Sequence, residues 1–354
     1  MYQTDIEERT FHFKQPAGTS RGVYTERRSW LVKINDGERL GIGECAPLPD
    51  LSCDALPPHI YKEVLRRFCE QVEQTGNIDY ESMRDFPSML FGLETALLSI
   101  SSAQAIHPST KVPLPPPLFD TAFSRGEVGI PINGLVWMGT YEEMLQRMEQ
   151  KLEQGYHCVK LKVGAIDFDR ELELVKRIRQ RFSHREVELR LDANGGFTYD
   201  EALYKLELLS QYAIHSIEQP IKAGQWSNMA ELCRDAPLPI ALDEELIGVN
   251  DPETKQQLLR IIKPAYIVLK PSLHGGMQGC REWVALADDE GIGSWITSAL
   301  ESNVGLNAIA QFCSSVYGDA ITMPQGLGTG QLFTDNIPMP LTIRNNELWI
   351  CSHS

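Results

Sequence analysis

Residues 158–163 read Cys158-Val159-Lys160-Leu161-Lys162-Val163, and stretches of the same kind return downstream: Glu188-Leu189-Arg190-Leu191-Asp192, Ser216-Ile217-Glu218, Ala241-Leu242-Asp243 and Val268-Leu269-Lys270. Each is a short apolar run of strand length that ends on an ionisable residue. From Lys162 to Asp192, Glu218, Asp243 and Lys270 the steps are 30, 26, 25 and 27 residues. Each step has room for one strand, one helix and the loops between them. The intervening segments carry helical periodicity. Asp167–Phe182 repeats Phe168, Leu172, Val175, Ile178 and Phe182, and the pairs Thr140/Glu143 and Thr198/Glu201 have capping-box spacing at two helix starts. Further strands expected at Ile130–Leu135, Ser294–Thr297 and Ala320–Met323 bring the total to eight. A run of βα units predicts an α/β fold, a (β/α)7β TIM-like barrel with a parallel sheet closed on itself.

The flanks read differently. Ser29–Ile34 and Glu38–Glu44 lie on either side of Asn35-Asp36-Gly37, good hairpin chemistry. Helices are expected at Pro58–Gln74 and Pro87–Gln104, followed by the stiff Val112-Pro113-Leu114-Pro115-Pro116-Pro117, which reads as a linker. Pro340–Ile350 reads as a hairpin about Asn345-Asn346. The expected organisation is an α+β capping domain over residues 1–122, the modified barrel over 123–324, and a segment 325–354 that returns to the capping domain. Cap loops at Pro16–Val23 and Pro47–Ser52 are expected to close over the barrel mouth.

Composition narrows the function. The 354 residues carry 33 Lys+Arg and 48 Asp+Glu, a formal charge of −15. That surplus of acid argues against nucleic acid, which needs a cationic surface, and against anionic membranes. The longest greasy stretches are too short or are broken by Glu94, and Asp5, Glu7 and Glu8 stand where a secretory signal would be basic and apolar. The eight cysteines form no CxxC pair, so reduced thiols in the cytoplasm are expected. The charge leaves a homo-oligomer open.

Barrel enzymes place their chemistry at the C-terminal ends of the strands. Side chains alternate along a strand, so Lys160 and Lys162 share one face, as do Arg190 and Asp192. The strands that carry Lys162 and Lys270 are four apart in an eight-stranded barrel, so these lysines face each other across the mouth. Asp192, Glu218 and Asp243 occupy the three strands between them. Three clustered carboxylates repel unless a cation sits among them, and an all-oxygen set without histidine suits Mg²⁺, with Mn²⁺ as a substitute. Any one of these charges alone would equally suit a structural ion pair. Five consecutive strand ends point to a site. Other chemistries lack their residues: there is no HxH pair, no GxSxG and no Walker A lysine. Gly41-Ile42-Gly43-Glu44-Cys45-Ala46 matches GxGxxA formally, but Pro47 follows where a dinucleotide site needs a helix.

The order Lys160-Leu161-Lys162, Asp192-Ala193-Asn194, Glu218-Gln219-Pro220, Asp243-Glu244 and Lys270-Pro271 resembles the enolase superfamily, in its muconate-lactonising branch, across nearly the whole chain. The resemblance implies a small-molecule carboxylate substrate and metal ligands Asp192, Glu218 and Asp243. It also implies Lys162 as the base that removes the proton α to the carboxylate, giving an enediolate. Lys160 and Lys270 complete the catalytic set, and Asn194 and Glu244 stand behind the ligands. Within the branch, the resemblance favours members that dehydrate a cyclohexadiene carboxylate carrying a succinyl arm, a menaquinone-pathway reaction, on three features. They are Arg190 two residues before Asp192, the segment Thr297–Ser302 after strand seven, and Gly326-Leu327-Gly328-Thr329-Gly330. Arg190, Ser298 and Gly328 are the expected substrate contacts. An N-acylamino-acid racemase or dipeptide epimerase on the same scaffold is the alternative, although Met323–Gly328 lacks the acidic pair that epimerases typically place there. A non-catalytic barrel serving as a scaffold is the alternative of another class. Glu245 departs from the Ser or Thr common at its position in this branch.

Overall fold

The structure, a computed structural model, describes residues 2–19, 22–102, 117–164 and 166–351. The expected linker at 112–117 lies outside the described residues except for Pro117. The cap begins with a sheet of three antiparallel strands, β1 (Gln3–Thr19), β2 (Gly22–Asn35) and β3 (Leu40–Cys45). The β2–β3 hairpin turns at residues 36–39, where Asp36 Oδ1 accepts from the Glu38 and Arg39 amides. Two helices, α1 (Pro58–Thr75) and α2 (Pro87–Ser101), cover the sheet. Trp30 stacks on Tyr61 at 4.2 Å in the cap core. The GxGxxA look-alike is a packing motif: a Cβ on Gly43 would run into the Gly92 carbonyl, so the glycines let α2 lie directly on β3.

The barrel sheet runs β5 (Gly134–Val136), β6 (Cys158–Lys162), β7 (Glu188–Asp192), β8 (Ser216–Glu218), β9 (Ile240–Leu242), β10 (Tyr266–Leu269) and β11 (Gly293–Ile296). These strands are parallel neighbours in chain order. The helices between them are α3 (Tyr141–Glu153), α4 (Phe168–Arg181), α5 (Tyr199–Ser210), α6 (Trp226–Asp235), α7 (Pro252–Ile262) and α8 (Gly276–Asp289), with α9 (Asn303–Tyr317) after β11. Thr140 and Glu143 form the expected capping box, and Thr198 N–H donates to Glu201 Oε1 at 3.2 Å.

Three expectations about the barrel need correction. Ile130–Leu135 is not one strand: β4 (Ile130–Pro131) pairs elsewhere, and the barrel strand starts only at Gly134. The eighth strand is not Ala320–Met323. Closure falls to two bridges further on, Gln325 with Ile132 and Gly326 with Thr297. Gly326 is required there, because a Cβ would collide with the Thr297 side chain. The terminal hairpin, β12 (Leu341–Arg344) and β13 (Glu347–Ile350), forms as expected, with Asn345 and Asn346 at φ 49° and 64°. It does not return to the cap. β13 pairs with β4 at the N-terminal end of the barrel, and residues 332–335 reach the cap through Phe13–Phe333 pairing and a His12–Asp335 hydrogen bond at 2.8 Å. No described helix is long and apolar enough to cross a membrane.

Two buried carboxylates of the cap dock onto helix starts of the barrel. Glu44 accepts from the Ser302 and Gly305 amides at 3.0 and 2.8 Å, at the start of α9. Glu94 accepts from the Met277 and Gln278 amides at 2.5 and 2.9 Å, at the start of α8. Helix N-termini favour such anions. Burial nevertheless pushes the Glu94 carboxyl up to about 8, against the two amide donors. With the folded pKa above the unfolded one, the folded state binds the extra proton. Stability conferred by Glu94 is therefore full below about 4.5 and is lost as pH rises towards about 8. Melting temperature is expected to fall across that window, by the equivalent of about 1.4 kcal/mol per pH unit at most, and the fall should flatten in Glu94→Gln. An equally steep fall in Glu94→Gln would assign it to another group.

Candidate active site

Register brings the expected residues together. Lys162, Asp192 and Glu218 are direct partners across β6, β7 and β8, and one layer down Lys160, Arg190 and Ser216 are partners in the same way. Asp243 follows β9 and Lys270 follows β10. In the order of the sheet, β6 and β10 are four strands apart, so Lys162 and Lys270 lie on opposite sides of the mouth. Lys160, Lys162, Asp192, Asn194 and Lys270 line one pocket. Its apolar walls come from Leu135, Trp137 and Trp295 in the barrel and from Tyr24, Leu48 and Leu51 in the cap. The pocket has a volume of about 100 Å³ and opens to solvent at its mouth. Of the two cap segments expected over the mouth, Pro47–Ser52 contributes lining residues. Of Pro16–Val23, residues 20 and 21 lie outside the described residues; the described part extends the β1–β2 ribbon, from which Tyr24 lines the pocket.

Charges in the mouth are paired in detail. Lys160 Nζ stands 2.9 Å from Asp192 Oδ2 and 2.6 Å from Glu218 Oε2. Lys162 Nζ donates to the same Asp192 oxygen at 3.0 Å and to Asn194 Oδ1 at 2.5 Å, and Lys270 Nζ donates to Asp243 Oδ2. Asn194 holds a left-handed backbone, φ 44°, and its Nδ2 donates to Glu244 Oε1 at 2.9 Å. Both expected supporting residues therefore stand behind Lys162.

All of these carboxylates are buried, which alone would raise their pKa values. Against that burial, Lys160 and Lys162 hold Asp192 well below the usual carboxylate range, and Lys270 lowers Asp243. Glu218 goes the other way: burial, with Asp192 beside it, pushes it up to about 8. Burial opposes charge on Lys160 and Lys270, yet their carboxylate neighbours keep both above the ordinary lysine value.

Among the described residues, no three carboxylate, imidazole or thiol groups converge on one point that would hold a metal. Ammonium groups fill the space between the carboxylates instead. The donor set still fits a hard cation, because Glu218 Oε1 and Asp243 Oδ1 are buried without a hydrogen-bond partner. Two unpartnered buried oxygens at the ends of adjacent strands, with the Glu218 charge only partly offset by Lys160, are what a divalent cation would satisfy.

One expected contact is displaced. Arg190 does not line the pocket. It lies a layer deeper, 2% exposed, with Nε on Glu188 at 2.7 Å, Nη1 on the Pro324 carbonyl at 2.8 Å, and its guanidinium 4.5 Å from the Trp295 ring. A long side chain in the Lys160 layer is drawn down by the Glu188 carboxylate, so Arg190 supports the pocket wall through Trp295. Ser298 and Gly328 do line the pocket, and Ser298 Oγ lies 2.7 Å from Thr329 Oγ1. Glu245 is not a ligand. It accepts from Gln219 Nε2 at 3.0 Å and from the Gly224 amide at 2.7 Å, while Gln219 Oε1 accepts from the Asp243 and Glu245 amides. This closed ring fastens the ends of β8 and β9.

His274 is a supporting residue that sequence patterning missed. It is 1% exposed, and its Nδ1 accepts from the Lys270 amide at 2.8 Å. That bond requires an unprotonated Nδ1, consistent with burial pushing the imidazole down to about 3. The only signal was the four-residue spacing from Lys270, which a single sequence does not distinguish from a core histidine.

Comparison with known proteins agrees with this geometry. Residues 143–350 match the family described as "Enolase C-terminal domain-like", and residues 19–100 match "MenC, N-terminal domain". The chain is 44% identical over 367 residues to an o-succinylbenzoate synthase of Desulfotalea psychrophila, covering 96% of each. The crystal structure of MenC from Desulfotalea psychrophila LSv54 superposes with a TM-score of 0.80 at 39% identity, covering 99% of both chains. A substrate-liganded L-Ala-D/L-Glu epimerase from Bacillus subtilis shares the fold, with a TM-score of 0.79 at 20% identity over 99% of this chain and 96% of that one. The chain belongs to the enolase superfamily, and within it to the o-succinylbenzoate synthase family of dehydratases.

Proposed function

We propose that the chain dehydrates 2-succinyl-6-hydroxy-2,4-cyclohexadiene-1-carboxylate to o-succinylbenzoate, a cytoplasmic step of menaquinone synthesis. The observation that carries this reading is the placement of Lys162 and Lys270 on opposite sides of one largely apolar pocket, above three buried carboxylates. Members of the superfamily use a divalent cation, typically Mg²⁺, and Asp192, Glu218 and Asp243 are the residues that would hold it here, with Mn²⁺ as a substitute. The cation supplies positive charge to the substrate carboxylate.

Lys162 Nζ removes the proton from the carbon α to that carboxylate. Asp192 and Asn194 hold this nitrogen at 3.0 and 2.5 Å, which fixes its aim. The electron pair of the broken C–H bond passes into the enediolate, whose charge Lys270 meets from the opposite side. Lys162, now an ammonium, returns its proton to the hydroxyl, the C–O bond breaks, water leaves, and the ring becomes aromatic. Lys160, 2.9 Å from Asp192 and 2.6 Å from Glu218, offsets part of their charge. Ser298 and Gly328 receive the succinyl arm, while Trp137, Trp295, Leu48 and Leu51 exclude water.

The lysine pair also suits racemisation of an N-acylamino acid, in which one lysine removes the proton and the other returns it. A dipeptide is disfavoured: Asp335, the first acid after β11 and α9 to follow Met323, is engaged by His12 at 2.8 Å and does not line the pocket. The direct test is spectroscopic. With Mg²⁺ and the cyclohexadiene substrate, o-succinylbenzoate should form. Chelation should stop its formation, and Mg²⁺ or Mn²⁺ should restore it. Racemisation of N-succinylamino acids without formation of the aromatic product would favour the racemase. Neither activity would leave a binding scaffold.

A further inference from the structure

Arg27 sits on β2 with only 3% of its surface exposed, and it does not line the pocket. Its guanidinium donates to four main-chain carbonyls on two separate loops. Nη1 and Nη2 bond Pro47 and Ala46 in the cap loop after β3. Nε bonds Leu300 at 3.3 Å and Nη2 bonds Ala299 at 3.4 Å, in the barrel loop after β11. The cap loop carries Leu48 and Leu51, and the barrel loop carries Ser298, Ala299 and Leu300; all five line the pocket. The two loops meet as one apolar cluster of Leu48, Leu273 and Ala299.

The barrel loop needs holding. Leu300 has φ 65°, a left-handed conformation that costs a residue with a Cβ. The Ser298 hydroxyl accepts from the Leu300 amide at 3.3 Å, while Arg27 takes the carbonyl on the other side. Burial lowers the Arg27 pKa, and Glu301 and Glu44 oppose that by supplying negative charge. A planar fork with five donors can span two loops in a way that a single ammonium cannot.

We infer that Arg27 is a positioning residue for the substrate arm: its four carbonyl bonds fix the spacing between the cap wall and the barrel wall, and so the place of the Ser298 hydroxyl. The inference rests on the reaction assigned above. The carbonyls that Arg27 bonds belong to the two wall loops and not to the segments that carry Asp192, Glu218, Asp243 or Lys162, so its loss should be felt in binding rather than in proton transfer.

The test compares the unmodified chain with Arg27→Lys and Arg27→Gly. Expected for Arg27→Lys is a KM for the cyclohexadiene substrate raised about ten-fold, with kcat within about three-fold. The affinity for o-succinylbenzoate should weaken by a similar factor, with Mg²⁺ affinity unchanged by calorimetry. Millimolar ethylguanidinium should partly restore KM in Arg27→Gly and leave Arg27→Lys unaffected. An unchanged KM in both variants, or a kcat loss that tracks a loss of Mg²⁺ affinity, overturns the inference. If neither variant folds, hydrogen exchange on the unmodified chain decides. Product binding should protect the amides of 46–52 and 298–302 together, and protection of one segment without the other overturns the inference. A chain that makes no o-succinylbenzoate overturns the functional reading itself; turnover by the chain with an unmoved KM in the variants overturns the role of Arg27 alone.

Discussion

Lys162→Ala should abolish turnover, with kcat lower by about 10⁴. That is the upper end of what one acid–base group contributes, because the same nitrogen acts twice, as base and then as acid. Mg²⁺ affinity should not fall with it. The Lys162 ammonium lies 3.0 Å from Asp192 Oδ2 and competes with any other cation for that oxygen. Removing it leaves Asp192 with Lys160 at 2.9 Å and one site freer, so calorimetry should return an affinity equal to or tighter than that of the unmodified chain. Residual activity above about 1% would sink the assignment of Lys162 as base. Loss of Mg²⁺ binding would show that Lys162 orders the carboxylates rather than acting on the substrate.

The second large effect separates two ligands that look equivalent in sequence. Asp192→Asn and Glu218→Gln should each weaken Mg²⁺ binding on the order of a hundred-fold or more, beyond the 10–100-fold typical of residues that merely support a ligand. Their effects on the metal-free protein should diverge. Asp192 compensates both Lys160 and Lys162, so Asn leaves two buried ammonium groups short of a partner. Breaking such a pair costs about 3–5 kcal/mol. Glu218 is already pushed up to about 8, so a neutral amide resembles its protonated form, and stability without metal should stay level or rise. Denaturant melts with chelator present, and calorimetry with Mg²⁺, read the two effects separately. Equal destabilisation by both substitutions would show that the Glu218 charge is as well compensated as that of Asp192.

Much of the site was legible because a barrel repeats. Spacing of 25–30 residues put Lys162, Asp192, Glu218, Asp243 and Lys270 on successive strands, and period-two alternation pointed them inward. Alternation fixes a face but not a depth. Arg190 and Lys160 are register partners, yet Lys160 rises to the carboxylates and Arg190 sinks to Glu188 and Pro324. That choice depends on Pro324, 134 residues away, as well as on Glu188, and a partner that distant is not encoded in a local pattern. The barrel's eighth position was misplaced for a similar reason. Ala320–Met323 is apolar enough for a strand, but the hydrogen bonds that close the sheet go to Gln325 and Gly326, where glycine allows close approach to Thr297. His274 acts through a main-chain group of its own loop and Arg27 through those of two other loops, so their side chains leave no motif.

The pairing of β13 with β4 joins residues 347–348 to 130–131, and the Ile132 amide donates to the Asn346 carbonyl. A growing chain has its β4 edge made some two hundred residues before the strand that covers it. The first seven barrel strands are therefore made while this short edge is still open. Synthesis that stops short of residue 347 would leave the buried Ile130 and the Ile132 amide without the strand that covers them, so truncation there should show first as lost stability rather than as lost chemistry.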